Sequence, residues 1–358
     1  MDRRLKKVRE KMKNKGIDAF LVNKPENIYY LSGFTGGVDG KLLILDDEQY
    51  VITDTRYEEQ VKNEAPDFAL LLGRFPYIDS LNAIEHKFEK LGIEGKVISY
   101  YEYEMLKKNL DVSLVPLEGL VEEIRMIKEE EELDFIRKAA GIGDSVFEEI
   151  CLFIKPGIYE KQIADKIIFL LREKGCEKEA FEVIALSGRN ASLPHGRPGA
   201  KPIEDGDMLT LDYGGFFGRY ASDMTRTVSV GKPSDYLKDV YFEVLRAQKI
   251  GLSMVKAGVS CREVDKAVRD YLEGCGLGEY FVHSTGHGLG LEIHENPALS
   301  PHCDIILQEN MVVTVEPGVY VPGTGGVRIE DTVIVKQDGC EIITRADKEL
   351  RIIKWRDI

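Results

Sequence analysis

Three histidines fall within twelve positions in His283-Ser-Thr-Gly-His287-Gly-Leu-Gly-Leu-Glu-Ile-His294, half of the six in the chain. Neutral imidazole ligates metals and moves protons near neutral pH, and the surrounding glycines let backbone come close to an ion or substrate. Acids occur on either side of this stretch. Met208-Leu-Thr-Leu-Asp212 reads as a strand with a carboxylate near its end, and Tyr220-Ala-Ser-Asp223-Met-Thr-Arg-Thr-Val-Ser-Val230 carries a second. A short turn through Phe216–Arg219 makes the two runs a hairpin and sets Asp212 beside Asp223. Met311-Val-Val-Thr-Val-Glu316 ends an apolar strand on a glutamate. Gly325-Gly-Val-Arg328-Ile-Glu330-Asp331-Thr-Val-Ile-Val335 puts another inside a strand, on the same face as Arg328.

Each of these residues has a plain reading when taken singly. Strand-end acids can be capped by solvent, Arg328 and Glu330 can be a buried ion pair, and the histidines can sit in a hydrogen-bonded loop. As a set they point elsewhere, because close carboxylates in apolar strands repel unless a cation or a proton separates them. Two Asp, two Glu and one or more His suit two hard or borderline divalent ions, Mn²⁺, Co²⁺ or Zn²⁺, bridged by shared carboxylates. Such a pair lowers the pKa of a bridging water and clamps the attacked oxygen. Metal-assisted hydrolysis is the reaction class this composition favours.

The elements that must carry these residues repeat. Lys155-Pro-Gly-Ile158 opens a helix ending at Gly175, and Lys256-Ala-Gly-Val259 opens another, 101 residues on, ending at Gly276. Ile163 matches Val264 and Leu171 matches Leu272. Each copy follows a long helix, near 131–154 and 235–255, and precedes strand-rich sequence. Two similar halves about a pseudo-twofold axis account for this, although two amphipathic helices after a Gly turn look alike in any case.

Ahead of the repeat the chain changes character. Leu5, Val8 and Met12 share a helix face, Ile17–Val22 reads as a buried strand, and Lys41–Leu45 with Tyr50–Asp54 reads as a hairpin. Helical pattern at Arg56–Ala65 and Ile78–Leu91 alternates with strand candidates at Phe68–Leu72, Lys96–Tyr100 and Val112–Leu117, which makes an α/β domain. It holds no phosphate-cradling glycine loop and no cluster of catalytic residues. The charged run Lys128–Glu132 opens the next regime, where acids suit the positive end of a helix. The domains expected are residues 1–124 and 125–358.

A chain of 358 residues exceeds one ordinary core, and a net charge of -14 argues against nucleic acid as a partner. No apolar run approaches the ~20 residues that span a bilayer, and the basic start leads into an amphipathic pattern rather than a secretion signal. No membrane partner and a cytoplasmic location are therefore expected. The six cysteines show neither a C-x-x-C pair nor zinc-finger spacing and read as reduced, mostly buried side chains.

The ordered set Asp212, Asp223, His287, Glu316 and Glu330 resembles the metallopeptidases of the pita-bread fold, and within them the Xaa-Pro aminopeptidase and prolidase branch. The runs that carry the resemblance are Ser187-Gly-Arg-Asn-Ala-Ser-Leu-Pro-His195-Gly, Asp212-Tyr-Gly, Ser222-Asp-Met-Thr-Arg-Thr, Gly286-His-Gly-Leu-Gly-Leu-Glu-Ile-His-Glu, Glu316-Pro-Gly-Val-Tyr and Val327-Arg-Ile-Glu-Asp. The whole chain is covered. The resemblance implies a creatinase-like α/β N-terminal domain followed by an α+β pita-bread catalytic domain with pseudo-twofold halves.

It also implies roles. Asp212 would chelate one metal, Asp223 and Glu330 would bridge two, and His287 and Glu316 would each bind one, with Glu316 helping to deprotonate the bridging water. His195 would line the substrate pocket, as would His283. His294 would support the tetrahedral intermediate, and Arg328 would orient a carboxylate or His294. Tyr320 matches a pocket tyrosine, while His86 and His302 match nothing. A homodimer acting on proline-containing peptides is implied as well.

The chemistry agrees with those types. The tertiary amide of Xaa-Pro is a poor leaving group until protonated, and proline's missing N–H and fixed φ keep ordinary proteases away. An Xaa-Pro aminopeptidase is the first expectation and an Xaa-Pro dipeptidase (prolidase) its alternative. Creatinase and non-catalytic peptide-binding relatives lack the full ligand set, and methionine aminopeptidases generally lack the N-terminal domain.

Overall fold

The computed structural model describes residues 2–84 and 88–355, so His86 lies outside the described residues. The chain divides into two compact units, Met1–Arg125 and Met126–Ile358.

In the first unit α1 (Asp2–Lys15) leads into β1 (Ala19–Val22), and α2 (Pro25–Ser32) starts on the proline its first turn tolerates. The hairpin β2 (Lys41–Ile44) and β3 (Gln49–Thr53) follows, then α3 (Glu58–Glu64), β4 (Ala69–Leu72), α4 (Ile78–Asn82) and β5 (Lys90–Glu94). The unit ends with α5 (Tyr100–Asn109), β6 (Ser113–Leu117) and α6 (Glu122–Arg125). The six strands form one mixed sheet in the order β4-β3-β2-β1-β5-β6. Pairing is antiparallel at β1–β2 and β2–β3 and parallel at β3–β4, β1–β5 and β5–β6.

Two expectations fail in this unit. The helix expected over 78–91 stops at Asn82, and the strand expected over 96–100 lies earlier, at Lys90–Glu94. Only Leu91 and Ile93 carry the apolar signal of β5, and a two-residue signal is easily absorbed into a helical pattern. Residues 96–99 instead turn the chain into α5, where Ser99 Oγ accepts from the Glu102 amide at 3.1 Å as an N-cap.

The second unit begins with α7 (Glu130–Phe153), whose Glu129 and Glu132 form a capping box and whose Leu133, Ile136, Ala140 and Phe147 are buried along one stripe. After α8 (Glu160–Glu173) come β7 (Lys178–Glu179), β8 (Ile184–Ser187), β9 (Met208–Tyr213), β10 (Gly215–Phe217), β11 (Tyr220–Ala221) and β12 (Met224–Val230). A second helix pair, α9 (Asp235–Met254) and α10 (Cys261–Gly274), precedes β13 (Gly286–Gly288), β14 (Glu295–Leu299) and β15 (Val312–Val315). Then β16 (Gly318–Val321), β17 (Gly325–Arg328), β18 (Asp331–Lys336) and β19 (Gly339–Ile342) follow, and β20 (Ile352–Ile353) returns to pair with β12.

The repeat seen in the sequence persists at the level of hydrogen bonds. Gly157 and Gly258 share a φ of 89°, in the left-handed region that favours glycine. The Gly157 amide donates to Ile203 O and the Gly258 amide to Leu307 O, each at 2.9 Å. Ile203 and Leu307 donate back to Ile158 and Val259 at 2.8 and 2.9 Å. Each half then builds an antiparallel hairpin, β9 with β12 and β15 with β18. One apolar cluster packs α7 and α8 on the first hairpin through Phe147, Ile163, Leu211 and Val228. Another packs the start of α10 on the second through Val264, Val313, Val315 and Val333.

This duplication sets out the acids. Asp212 and Glu316 come at the ends of the first strands, β9 and β15, and Asp223 and Glu330 directly precede the second strands, β12 and β18. The Asp212 and Asp223 runs do form a hairpin, but its turn is Gly218–Arg219, since Phe216 and Phe217 belong to β10, and Asp212 lies opposite Thr225 rather than Asp223. The Gly325–Val335 run is not one strand, however. It breaks at Ile329–Glu330, where the Glu330 amide leaves the ladder to donate to Thr225 O at 3.1 Å.

No described helix is long and apolar enough to cross a membrane. The cysteines are all free, with Cys151, Cys176 and Cys261 buried, Cys303 and Cys340 half-buried and Cys275 exposed.

Candidate metal centre

The five expected ligands and all four of His195, His283, His294 and Arg328 line one cavity of about 460 Å³. Asp223, His287 and Glu330 offer ligand atoms that all lie within 4.8 Å of one another. His287 Nε2 is 3.4 Å from Asp223 Oδ2 and 3.4 Å from Glu316 Oε1. Its Nδ1 contacts Gly288 O at 3.0 Å. A carbonyl only accepts, so Nδ1 carries a proton there, and Nε2 is the ring atom that faces the acids and could take a cation.

Buried oxygens without partners test whether this set suits cations. Asp212 Oδ1, Asp223 Oδ1 and Glu330 Oε1 have no hydrogen-bond partner. Asp223 and Glu330 are 4% and 1% exposed. Burial and then the neighbouring acids, Asp212 for Asp223 and Asp223 for Glu330, push both carboxyls well above the usual range. Three orphaned carboxylate oxygens, two of them on acids grouped with His287, fit divalent cations, since native structures seldom leave buried polar atoms unpaired.

The other groups are held around that core. Thr225 Oγ1 donates to Glu330 Oε2 at 2.8 Å and accepts from Arg328 Nε at 3.2 Å. Arg328 Nη2 binds Asp212 Oδ2, so of the two expected partners for this arginine it is the carboxylate. The ion pair considered between Arg328 and Glu330 does not form; Thr225 stands between them. Burial opposes the Arg328 charge, but Tyr320, Asp212 and Glu316 outweigh it and hold the guanidinium cationic.

A hydrogen-bonded relay fixes His283. Its Nδ1 contacts Ser284 O and its Nε2 the Tyr320 hydroxyl, both at 2.8 Å, and Tyr320 accepts from Arg328 Nη1 at 2.7 Å. Burial lowers the His283 pKa to about 4 and raises that of Tyr320 to about 12, so the ring is neutral and the phenol keeps its proton. His294 is exposed on the cavity wall, with its ring centre 4.3 Å from that of His287. His195 is exposed on the 194–196 turn. His302 is exposed and does not line this cavity.

Sequence reasoning missed the acids that hold the histidine segments. Glu160, fully buried at the start of α8, accepts from the Ser187 amide at 2.8 Å and the Ser187 hydroxyl at 3.1 Å. It also accepts from Asn190 Nδ2 at 3.1 Å and the Gly199 amide at 3.4 Å, closing the loop that carries His195. Asp265 on α10 accepts from the Thr285 amide at 3.0 Å and hydroxyl at 2.9 Å, between His283 and His287. Glu295 pairs with buried Lys128 at 3.3 Å and accepts from the Glu292 amide at 3.1 Å, next to His294. The Ser187–Asn190 spacing was the available signal for Glu160, since both side chains serve that acid.

Residues 134–337 match the model of metallopeptidase family M24, and residues 4–127 match that of the creatinase/prolidase N-terminal domain. The solved Xaa-Pro dipeptidase from Bacillus anthracis is 42% identical, covers 98% of this chain and 99% of its own, and superposes with a TM-score of 0.95. The X-Pro aminopeptidase from Thermotoga maritima MSB8 is 36% identical over 98% and 99% of the two chains, with a TM-score of 0.89. An Xaa-Pro dipeptidase of Pyrococcus furiosus is 37% identical over 351 residues, 98% of this chain and 100% of that one. The chain therefore belongs to metallopeptidase family M24, with the creatinase-type N-terminal domain and pita-bread catalytic domain of the prolidases.

Proposed function

We propose that the chain is a metal-dependent Xaa-Pro dipeptidase that cleaves the bond before a C-terminal proline. The carrying observation is the set of orphaned carboxylate oxygens on Asp212, Asp223 and Glu330, the last two grouped with His287. It opens into a cavity of about 460 Å³, within the ~300–1,000 Å³ of small-ligand sites. Aminopeptidase action, the first expectation from the sequence, becomes the alternative. Dipeptidases are the named relatives at 42% and 37% identity, against 36% for the aminopeptidase.

In this reading Asp212, Asp223, His287, Glu316 and Glu330 hold two divalent cations. When bound, these supply a nucleophilic water at neutral pH and a Lewis acid for the substrate carbonyl. Glu316, at the end of β15 with Oε1 3.4 Å from His287 Nε2, would accept a proton at its carboxylate. His294 donates towards the carbonyl oxygen as charge gathers on it. His195 faces the departing proline. His283, neutral and tied to Tyr320, shapes the wall and moves no proton. Arg328 holds Asp212 in place and compensates the excess of acid.

Hydrolysis of Ala-Pro and of Ala-Pro-Ala-Ala by metal-stripped protein, with and without added Mn²⁺ or Co²⁺, tests the reading. Metal-restored cleavage of the dipeptide alone supports it. Release of alanine from the tetrapeptide at a comparable rate makes the protein an aminopeptidase instead.

A further inference from the structure

A dipeptide ending in proline brings a carboxylate into the cavity, and burying that charge without a partner is unfavourable. Among the described residues that line the cavity the arginines are Arg197 and Arg328, and no lysine lines it. Arg328 is already committed to Asp212, Tyr320 and Thr225. Arg197 differs. Two residues after His195, its side chain is 80% exposed, and it forms an ion pair with Glu182, 3.1 Å away and itself 62% exposed. Glu182 lines the same cavity, beside Phe181 and Ile184.

We propose that Arg197 is a specificity-determining residue that reads the C-terminal carboxylate of the dipeptide, with Glu182 as its partner in the free enzyme. This rests on the dipeptidase reading. An exposed Arg–Glu pair contributes little to stability, so exchanging Glu182 for a substrate carboxylate sacrifices little. The guanidinium can take the planar carboxylate through two N–H donors, which a lysine cannot do. Phe181, Ile184 and Pro194 line the same cavity and offer apolar surface for the pyrrolidine ring. A peptide extended beyond proline, or a proline amide, lacks the charge at that place. The selection of dipeptides then comes from an attractive contact at Arg197.

The test compares wild type with Arg197→Met, both metal-loaded, on Ala-Pro and on Ala-Pro amide. The ratio of kcat/KM for the acid to that for the amide is expected to fall roughly tenfold to a hundredfold in the variant, carried by KM. Inhibition by free proline is expected to weaken in the variant, while inhibition by prolinamide keeps its strength. An unchanged acid-to-amide ratio overturns the assignment. Failure of the wild type to cleave Ala-Pro while it cleaves Ala-Pro-Ala-Ala overturns the dipeptidase reading instead, so the two failures are distinct.

Discussion

Glu160 and Asp265 act alike from equivalent helices, each a buried acid that accepts an amide and a hydroxyl from a segment carrying histidine. Glu160 stands at the start of α8 and Asp265 one turn inside α10. The fold has solved the same problem twice: a glycine-rich loop beside a charged site must be held from behind.

Glu160→Gln therefore loosens the His195 loop without touching an expected metal ligand. Activity is expected to fall roughly tenfold to a hundredfold with metal content retained, as when supporting partners of a site are lost. Added to His195→Ala, the same change has little further effect, because the two act through one group. Additive losses, or a loss no greater than the unfolded fraction, would sink this role.

The acids of the centre repel one another, which gives the metal-free protein a pH signature. Glu330 is held well above the ordinary carboxyl range by burial and by Asp223, so the stability it permits is full below the ordinary value of 4.5 and is lost as pH rises above it. Metal-free Glu330→Gln is expected to melt higher than metal-free wild type at pH 7, by roughly 2–5 °C, with the gap closing towards pH 4.5. Mn²⁺ should raise the melting temperature of the wild type far more than that of the variant. A variant that melts lower at pH 7, or gains as much from the metal, contradicts the ligand assignment.

His283 gives the opposite sign. Its pKa falls from 6.5 to about 4 on burial, so its contribution is complete above pH 6.5 and is lost as pH drops to 4, a change of order 3 kcal/mol. His283→Asn removes the titration but also the Tyr320 contact. Its melting temperature should therefore lie below that of the wild type at pH 7, with the difference narrowing between pH 6.5 and 4. A constant difference across that window would show that the ring does not titrate there.

Gly286 lies where β13 meets β15, and a Cβ on it would stand 1.9 Å from the Thr314 carbonyl oxygen. Gly286→Ala must part the strands and disturb the bond from the His287 amide to Thr314 Oγ1, now 3.1 Å. Calorimetric affinity for Mn²⁺ is expected to drop about tenfold or more although every ligand is intact. Unchanged affinity would mean that the strand can yield without moving His287.

Much of this was legible in the sequence because the duplicated half declares itself in strong signals. Capped amphipathic helices, apolar strands ending in Asp212 or Glu316, and glycine at 157 and 258 are local features with local causes. The Ile78–Leu91 and Lys96–Tyr100 readings failed for the converse reason, since β5 is specified by its neighbours β1 and β6 more than by Leu91 and Ile93. Among the site residues, those with unusual types or spacing stood out. Glu160, Asp265 and Lys128 did not, because a first-turn acid, a mid-helix aspartate and a lysine in a charged run look like solvated faces until the tertiary fold buries them. The break at Ile329–Glu330 was hidden too, because the carbonyl that draws the Glu330 amide aside belongs to Thr225 in the other half.

That last arrangement bears on how the domain comes apart. Each hairpin brings two acids to the seam between the halves: Asp212 and Asp223 from one, Glu316 and Glu330 from the other. A cation shared among them would be a cross-link between stretches of chain some 100 residues apart in sequence, formed without a covalent bond. Unfolding either half would then cost the other part of its ion's ligand set. The centre proposed for hydrolysis would then also couple the melting of the two halves.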